Sequence, residues 1–328
     1  FGNKYDNIIQ KKIIIITNNI TDLDKIDPVV LNEITENVEC VINSVAYVKH
    51  FGKKEIFEEV NVLAVNKLIE FCVKNNKKLI HISTISVSGN VIEGGRTIKS
   101  NVKEGTIFDE TKLYIGQEID NVYVLSKFMA ERNILEQVIN SNLDAVIIRV
   151  GNLMGRASDG MFQQNIFENA FVNRIRTLIN LNIIPDNIKN IPLEFTPIDL
   201  TAKAILKLIT SKNNRVIYHV YNNNHTDIET VKKVLETMGY NLNYISKQQM
   251  TNLIKQLMQD DIKQHRLSGI IQDLDENKEL DYSSNVKVAC EKTIKDLKKL
   301  DFNWNIIDEL YLNKFFNYLR NKNFFKGE

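Results

Sequence analysis

Tyr123 and Lys127 stand four residues apart, and the strand-like run His81-Ile-Ser-Thr-Ile-Ser86 precedes them with hydroxyls at its end. On a helix, positions i and i+4 are neighbours on one face. A lysine ammonium beside a phenol favours the ionised form and lowers its pKa from about 10. Tyr123 is then expected to give or take a proton near neutral pH. The Thr84 hydroxyl would hold a carbonyl oxygen against it. These are the parts that hydride chemistry at a carbonyl requires.

The spacing alone decides little. With 11 Tyr in the chain, roughly one Tyr-x-x-x-Lys arises by chance. A second one, Tyr318-Leu-Arg-Asn-Lys322, follows Phe315-Phe316 and reads as the flank of an amphipathic helix. A tyrosine on such a helix is ordinarily a half-buried core residue. Thr84 by itself reads equally as a strand-end turn residue, with Ser83 and Ser86 as adjacent alternatives.

The elements around the pair give it context. Residues 12–17, Lys-Ile-Ile-Ile-Ile-Thr, are short and β-branched and are bounded by Asn18-Asn19. They read as a fully buried strand. Residues 38–44, 78–83 and 144–150 read as further strands. Between them, 55–73 has apolar residues at a helical period, and 121–140 is the helix that carries Tyr123 and Lys127. Continuous apolar strands separated by helices imply a parallel sheet covered on both faces. In such sheets ligands bind beyond the carboxyl ends of the strands, where Ser44, Thr84 and Gly151 fall.

The second half reads as mostly helical. Helices are expected over 161–180, from Thr196-Pro-Ile-Asp199 to about 210, and over 227–238, with one strand at 215–220. From 247 onward the chain is helical and polar, with solvated turns at Asp260-Asp261 and 273–279. The fold class expected is α/β: a Rossmann-like doubly wound parallel sheet, N-terminally incomplete, with a smaller helix-rich C-terminal region. The division placed on it is 1–200 for the sheet domain and 201–328 for the helical subdomain.

Composition narrows the function classes. The chain has 328 residues, is 43% hydrophobic and 25% charged, and carries a net charge of +1. That balance gives no electrostatic argument for nucleic acid or an anionic membrane. No apolar run approaches the ~20 residues that span a bilayer. Cys40, Cys72 and Cys290 lack metal-ligand spacing, and the five His are scattered, so no metal site is expected. A reducing, cytoplasmic setting follows, and a monomeric domain is expected.

A dinucleotide fold ordinarily opens with a strand, a Gly-rich turn and a helix whose N-terminus holds the pyrophosphate. The chain has 13 Gly and no G-x-G-x-x-G. It begins with Phe1, and the expectation is that this first unit lies upstream of it.

The order strand-Ser-Thr-x-Ser-Val, Tyr-x-x-x-Lys, Arg-x-Gly-Asn and Pro-x-Asp resembles the extended short-chain dehydrogenase/reductases. More narrowly it is similar to the thioester reductase domains that end nonribosomal peptide synthetases and carboxylic acid reductases. The segments that carry the likeness are 41–50, Asn61-Val-Leu-Ala64, Ser83-Thr-Ile-Ser-Val87, Tyr123 to Lys127, Arg149 to Gly155 and Phe195 to Asp199, with Phe302-Asn-Trp304 near the end.

The resemblance implies Thr84, Tyr123 and Lys127 as catalytic residues. It implies Ser44, Val45 and Ala46 as the turn lining the cofactor, and Asn61 as the helix asparagine behind the site. Lys127 would bind the nicotinamide ribose, and Val150, Gly151 and Asn152 the nicotinamide end. Asn61 also reads as a core residue bonding backbone, and Ser44 to Ala46 as an ordinary turn. Asn18-Asn19 and Val150 depart from the family's usual Gly-Asp and Pro.

The activity implied is NADPH-dependent reduction of an acyl or peptidyl thioester on the phosphopantetheine arm of a carrier protein domain, releasing an aldehyde, with a further step to alcohol left open. A nucleotide-sugar epimerase or dehydratase of the same superfamily, and a non-catalytic remnant, are the alternatives.

Overall fold

The computed structural model describes residues 8, 11–48, 52–89, 102–212, 215–260, 265–275, 277–280 and 284–325. Lys49 and His50 of the segments above, and Asp261, lie outside them. In chain order the strands are β1 Cys40–Asn43, β2 Lys78–Thr84, β3 Thr106–Phe108, β4 Ala145–Val150, β5 Leu153–Met154, β6 Ile183–Pro185, β7 Thr196–Pro197, β8 Ile217–Val220, β9 Asn243–Ile245 and β10 Val286–Val288. The main sheet has the order β1-β2-β4-β8, and every neighbouring pair is parallel. The other six form three short parallel pairs: β3 with β10, β5 with β7, β6 with β9.

The α-helices longer than two turns among the described residues are α1 Pro28–Asn37, α2 Ala64–Lys74, α3 Val122–Asn140, α4 Ala170–Leu181, α5 Ile198–Ile209, α6 Ile228–Thr237, α7 Lys247–Leu257, α8 Glu291–Lys299 and α9 Glu309–Asn321. Successive strand residues point to opposite faces. Leu79, Ala145, Ile147 and Ile217 meet Val65, Leu68, Ile69 and Cys72 of α2 and Ala130 and Ile134 of α3. Ile80, Val146, Ile148, Tyr218 and Val220 meet Ala204 and Leu208 of α5 and Leu297 of α8. Helices therefore cover both faces, which is why these strands carry little alternation. The α/β parallel-sheet fold expected from sequence is the one observed.

Toward the carboxyl edge the α3-facing side turns polar. Asn43 pairs with His81 across β1 and β2, and Ser83, Arg149 and His219 form one row across β2, β4 and β8. A buried polar row needs partners, and α3 supplies them.

Two expectations are corrected. Residues 13–19 form no strand, and Ile14 and Ile15 are 77% and 78% exposed. β-branching gives propensity, but a strand exists only with a neighbour to bond, and β1 is a sheet edge among the described residues. The helix expected from 161 begins at Ala170, where the Asn169 side chain accepts from the Val172 amide; a single 3₁₀ turn, Ile166–Glu168, precedes it. Strand β8 lies beyond residue 200 and belongs to the main sheet. The second core likewise joins Met154, Val172 and Phe195 to Ile228, Leu312 and Phe316.

Candidate active site

Thr84 is the last residue of β2. Its Oγ1 donates to Ser86 Oγ at 2.9 Å and accepts from the Ser86 amide at 3.2 Å. The chain then makes a 3₁₀ turn, Ile85–Ser88, closed by Gly89 at φ 74°. Helix α3 packs on this turn. The Asn121 side chain fixes its start by accepting from the Val124 amide at 3.1 Å. That cap sets Tyr123 in the first turn of α3, beside the carboxyl end of β2.

Tyr123 is half-buried, and burial pushes its phenol up to about 12. The expected lowering by Lys127 is not observed. The reason is geometric: Lys127 Nζ turns to the sheet, donating to the Ile82 carbonyl at 2.6 Å and lying 3.1 Å from His81 Nε2. Lys127 is 2% exposed, and burial lowers it to about 8 against the opposing pull of Glu131. His81 Nδ1 lies 3.1 Å from Asn43 Nδ2, and Asn43 Oδ1 accepts from the Val45 amide at 3.1 Å. His81 is fully buried, and burial, then Lys127, holds it well below the ordinary histidine value.

One turn further along α3, Glu131 receives Arg149 Nε at 2.9 Å and Nη2 at 2.6 Å, along with the Ser83 hydroxyl. Arg149 Nη1 donates to the Lys112 carbonyl at 2.9 Å and to His219 Nε2 at 3.0 Å. His219 Nδ1 in turn faces the Ala289 carbonyl at 2.6 Å. Every charge in this row is paired, so its role is to lock α3 onto β2, β4 and β8.

Asn61 sits inside a π turn, Glu58–Leu63, that leads into α2, a local widening common near functional sites. Its Oδ1 accepts from the Tyr47 amide at 2.7 Å. Its Nδ2 donates to the Tyr47 carbonyl at 3.0 Å and to Ser126 Oγ at 2.8 Å. The residue is 1% exposed with its bonding capacity used. It therefore ties the 44–47 turn to α3 from behind. Within that turn Ser44 and Val45 are exposed and Ala46 half-buried.

After β4, Val150 is buried, and Gly151 and Asn152 are half-buried. The Asn152 amide donates to Glu194 Oε2 at 2.7 Å, and the Thr196 hydroxyl donates to Glu194 Oε1. Burial pushes Glu194 up to about 7 against those hydrogen bonds. A Cβ on Gly151 would lie 2.6 Å from Glu194 Oε2 and from Tyr221 Cβ, so only glycine fits. Asp199 accepts from the Ala157 amide at 2.9 Å, which fixes the loop after β5.

The structure thus brings Ser44 to Ala46, Thr84, Tyr123, Lys127 and Val150 to Asn152 to the carboxyl edge of one sheet and sets Asn61 behind them. Sequence reasoning missed Asn43, His81, Ser126 and Glu194. His81 stood within the opening motif; Glu194 carried no local signal.

The edge fits the nicotinamide end of a dinucleotide: exposed turn backbone at Ser44 and Val45, a protonated phenol, and a side-chain-free Gly151. Among the described residues there is no Gly-rich turn for the pyrophosphate. No cluster of three metal-ligating side chains and no helix long and apolar enough to cross a membrane occurs among them either.

Residues 2–205 match an NAD-binding family described as male sterility protein. Probable polyketide synthase 32 of Dictyostelium discoideum is 24% identical over 233 residues, which is 68% of this chain and 7% of that protein. The chain thus spans a small part of that relative. A thiolation-reductase di-domain from an archaeal non-ribosomal peptide synthetase superposes with a TM-score of 0.82 at 31% identity, covering 99% of this chain and 66% of that one. The terminal R domain of the myxalamid PKS-NRPS pathway shares the fold, with a TM-score of 0.80 at 18% identity over 98% of this chain and 78% of that one.

Proposed function

The chain belongs to the NAD-binding male sterility protein family, and on that premise we propose that it reduces an acyl or peptidyl thioester, held on the phosphopantetheine arm of a carrier protein domain, to an aldehyde with NADPH. The observation that carries this reading is the placement of Tyr123: a phenol kept protonated by burial, on a helix packed against the turn that follows Thr84. The likeness to an archaeal thiolation-reductase di-domain supports the carrier domain as partner.

Bound NADPH supplies the hydride that the thioester carbonyl carbon accepts. The Thr84 hydroxyl, turned away from the Ser86 Oγ that it bonds in this structure, would hydrogen-bond the carbonyl oxygen, a contact whose loss costs about 10²–10³ in rate in comparable sites. Tyr123 Oη gives its proton to the oxygen as negative charge develops there. A phenol titrating far above neutrality is in its donor form throughout the physiological range, which suits reduction. The hemithioacetal so formed then breaks its C–S bond to leave an aldehyde and the pantetheine thiol.

Ser44 to Ala46 and Val150 to Asn152 would flank the nicotinamide end, and Lys127 the ribose. Asn61 and Glu194 hold those two loops in place. We take the cofactor-binding part to be the sheet with its covering helices, β8 included. The helices after Gly160 would face substrate and carrier.

The test is incubation with NADPH and an acyl-phosphopantetheinyl carrier domain, following NADPH absorbance, free thiol and aldehyde. Aldehyde and thiol formed one for one with NADPH consumed is the expected result, with NADH slower. NADPH consumption without thiol release, or bound NADPH with no reaction on any acyl carrier, overturns the reading.

A further inference from the structure

His81 is the buried titratable group that the proposed reaction leaves unused. The hydrogen-bond directions around it are over-determined. The Val45 amide must donate, and its acceptor is Asn43 Oδ1 at 3.1 Å. That fixes the amide of Asn43 with Nδ2 toward His81 Nδ1, also at 3.1 Å. An NH₂ group only donates, so Nδ1 presents its lone pair and the proton of neutral His81 sits on Nε2. Nε2–H then points at Lys127 Nζ, 3.1 Å away. An ammonium has three donors and no acceptor. A neutral amine can accept from Nε2–H and still donate to the Ile82 carbonyl, 2.6 Å away.

His219 shows the opposite case on the same sheet face. There Arg149 donates to Nε2 while Nδ1–H donates to the Ala289 carbonyl, and a permanent cation is accommodated. Two histidines with opposite tautomers thus lie on one face of the sheet, set by an amide at one and a backbone carbonyl at the other.

We propose that Asn43, acting through the His81 ring, holds Lys127 as a neutral amine in the ligand-free site. Asn43 and His81 are then positioning residues for Lys127, and Lys127 takes a proton from solvent before it acts as a cation. This rests on the reading of Lys127 as part of the candidate reductase site. Around the pair, Glu131 faces Lys127 from one turn along α3 but is itself held by Arg149, and Tyr123 lies one turn the other way. From β1 the group facing His81 is the uncharged Asn43. The burial of Lys127 lowers it to about 8, which makes the neutral amine the major form from mildly alkaline pH upward.

The experiment is ¹⁵N-histidine and ¹³C-lysine NMR of the chain with and without Asn43→Asp. Wild type is expected to show His81 as the Nε2–H tautomer. In Asn43→Asp the carboxylate accepts from Nδ1–H, so the tautomer inverts and the Lys127 midpoint rises by at least about one pH unit. In turnover, the alkaline limb of kcat moves up with it, which a merely structural change would not do. A wild-type His81 carrying its proton on Nδ1, or Lys127 titrating at the ordinary lysine value, overturns the proposal. The wild-type spectrum alone suffices if the variant does not fold. It needs no turnover, so an inactive chain with the expected tautomer rejects the reductase reading and keeps this inference.

Discussion

Glu194 Oε2 accepts the Asn152 backbone N–H at 2.7 Å, from a carboxyl that is only 3% exposed. The two residues are 42 apart in the chain. Their contact fixes the turn that follows β4, and with it one wall of the candidate site.

Stability should therefore depend on pH through Glu194. Its folded value is raised, from 4.5 to about 7. Between those values the folded state binds the proton and the unfolded state does not, so stability falls as pH rises through this window. At about 1.36 kcal/mol per unit the effect is on the order of 3 kcal/mol. Buried His81 and His219 act with the opposite sign, losing stability as pH drops below 6.5. Urea denaturation at pH 5 and pH 8 of wild type and Glu194→Gln isolates the carboxyl. The variant should lose the decline and keep the histidine effect; identical pH dependences would refute the assignment.

Gly151→Ala should destabilise the chain by about 1–3 kcal/mol, the cost of overpacking a filled site. The new methyl would meet Glu194 Oε2 and Tyr221 Cβ, both at 2.6 Å. Calorimetry of the variant checks this, and an unchanged Tm would mean that the loop yields freely.

Asn61→Asp should be worse than its size suggests. The Tyr47 amide keeps an acceptor, but the Tyr47 carbonyl then faces a carboxylate oxygen where it had the Nδ2 donor at 3.0 Å. A buried group left without its partner costs about 1–3 kcal/mol. Weaker NADPH binding should accompany the loss, because the same bonds hold the Ser44 to Ala46 turn. Fluorescence titration reads that, and wild-type affinity in a folded variant would remove Asn61 from any role in the cofactor site.

Tyr123→Phe removes the phenol hydroxyl that gives the proton. Thioester reduction should fall by about 10²–10⁴, the usual worth of general acid catalysis. Full turnover by the variant would end the assignment of Tyr123. Because burial puts the phenol at about 12, the wild-type rate should show no limb from its ionisation below about pH 11.

Glu131→Gln should cost about 3–5 kcal/mol, since it strands Arg149 in a site where both side chains are fully buried. The double variant Glu131→Gln with Arg149→Met should recover part of that loss. Denaturant midpoints of the single and double variants check it, and strict additivity would argue that the pair is not coupled.

Much of the fold was legible because its signals are local. The helical run over 121–140 and the β-branched runs at 78–83 and 144–150 each depend on residues close in sequence, and the structure reproduces them. The four-residue spacing of Tyr123 and Lys127, and the strand-end position of Thr84, are likewise fixed by the sequence alone. The run 12–17 shows the limit. Its propensity is high, but strand formation depends on a hydrogen-bonding neighbour that the run itself does not encode.

Only the tertiary structure decided the protonation of the site. Neighbouring charge on one helix suggests an acidified phenol, yet Lys127 Nζ turns to the sheet and desolvation raises Tyr123 instead. Lys127 is drawn to Ile82 and His81 of β2, and His81 to Asn43 of β1. Those partners converge through sheet register and helix packing, and burial there magnifies every hydrogen bond. The sequence names the groups; which of them carries the proton follows from what the fold places beside them.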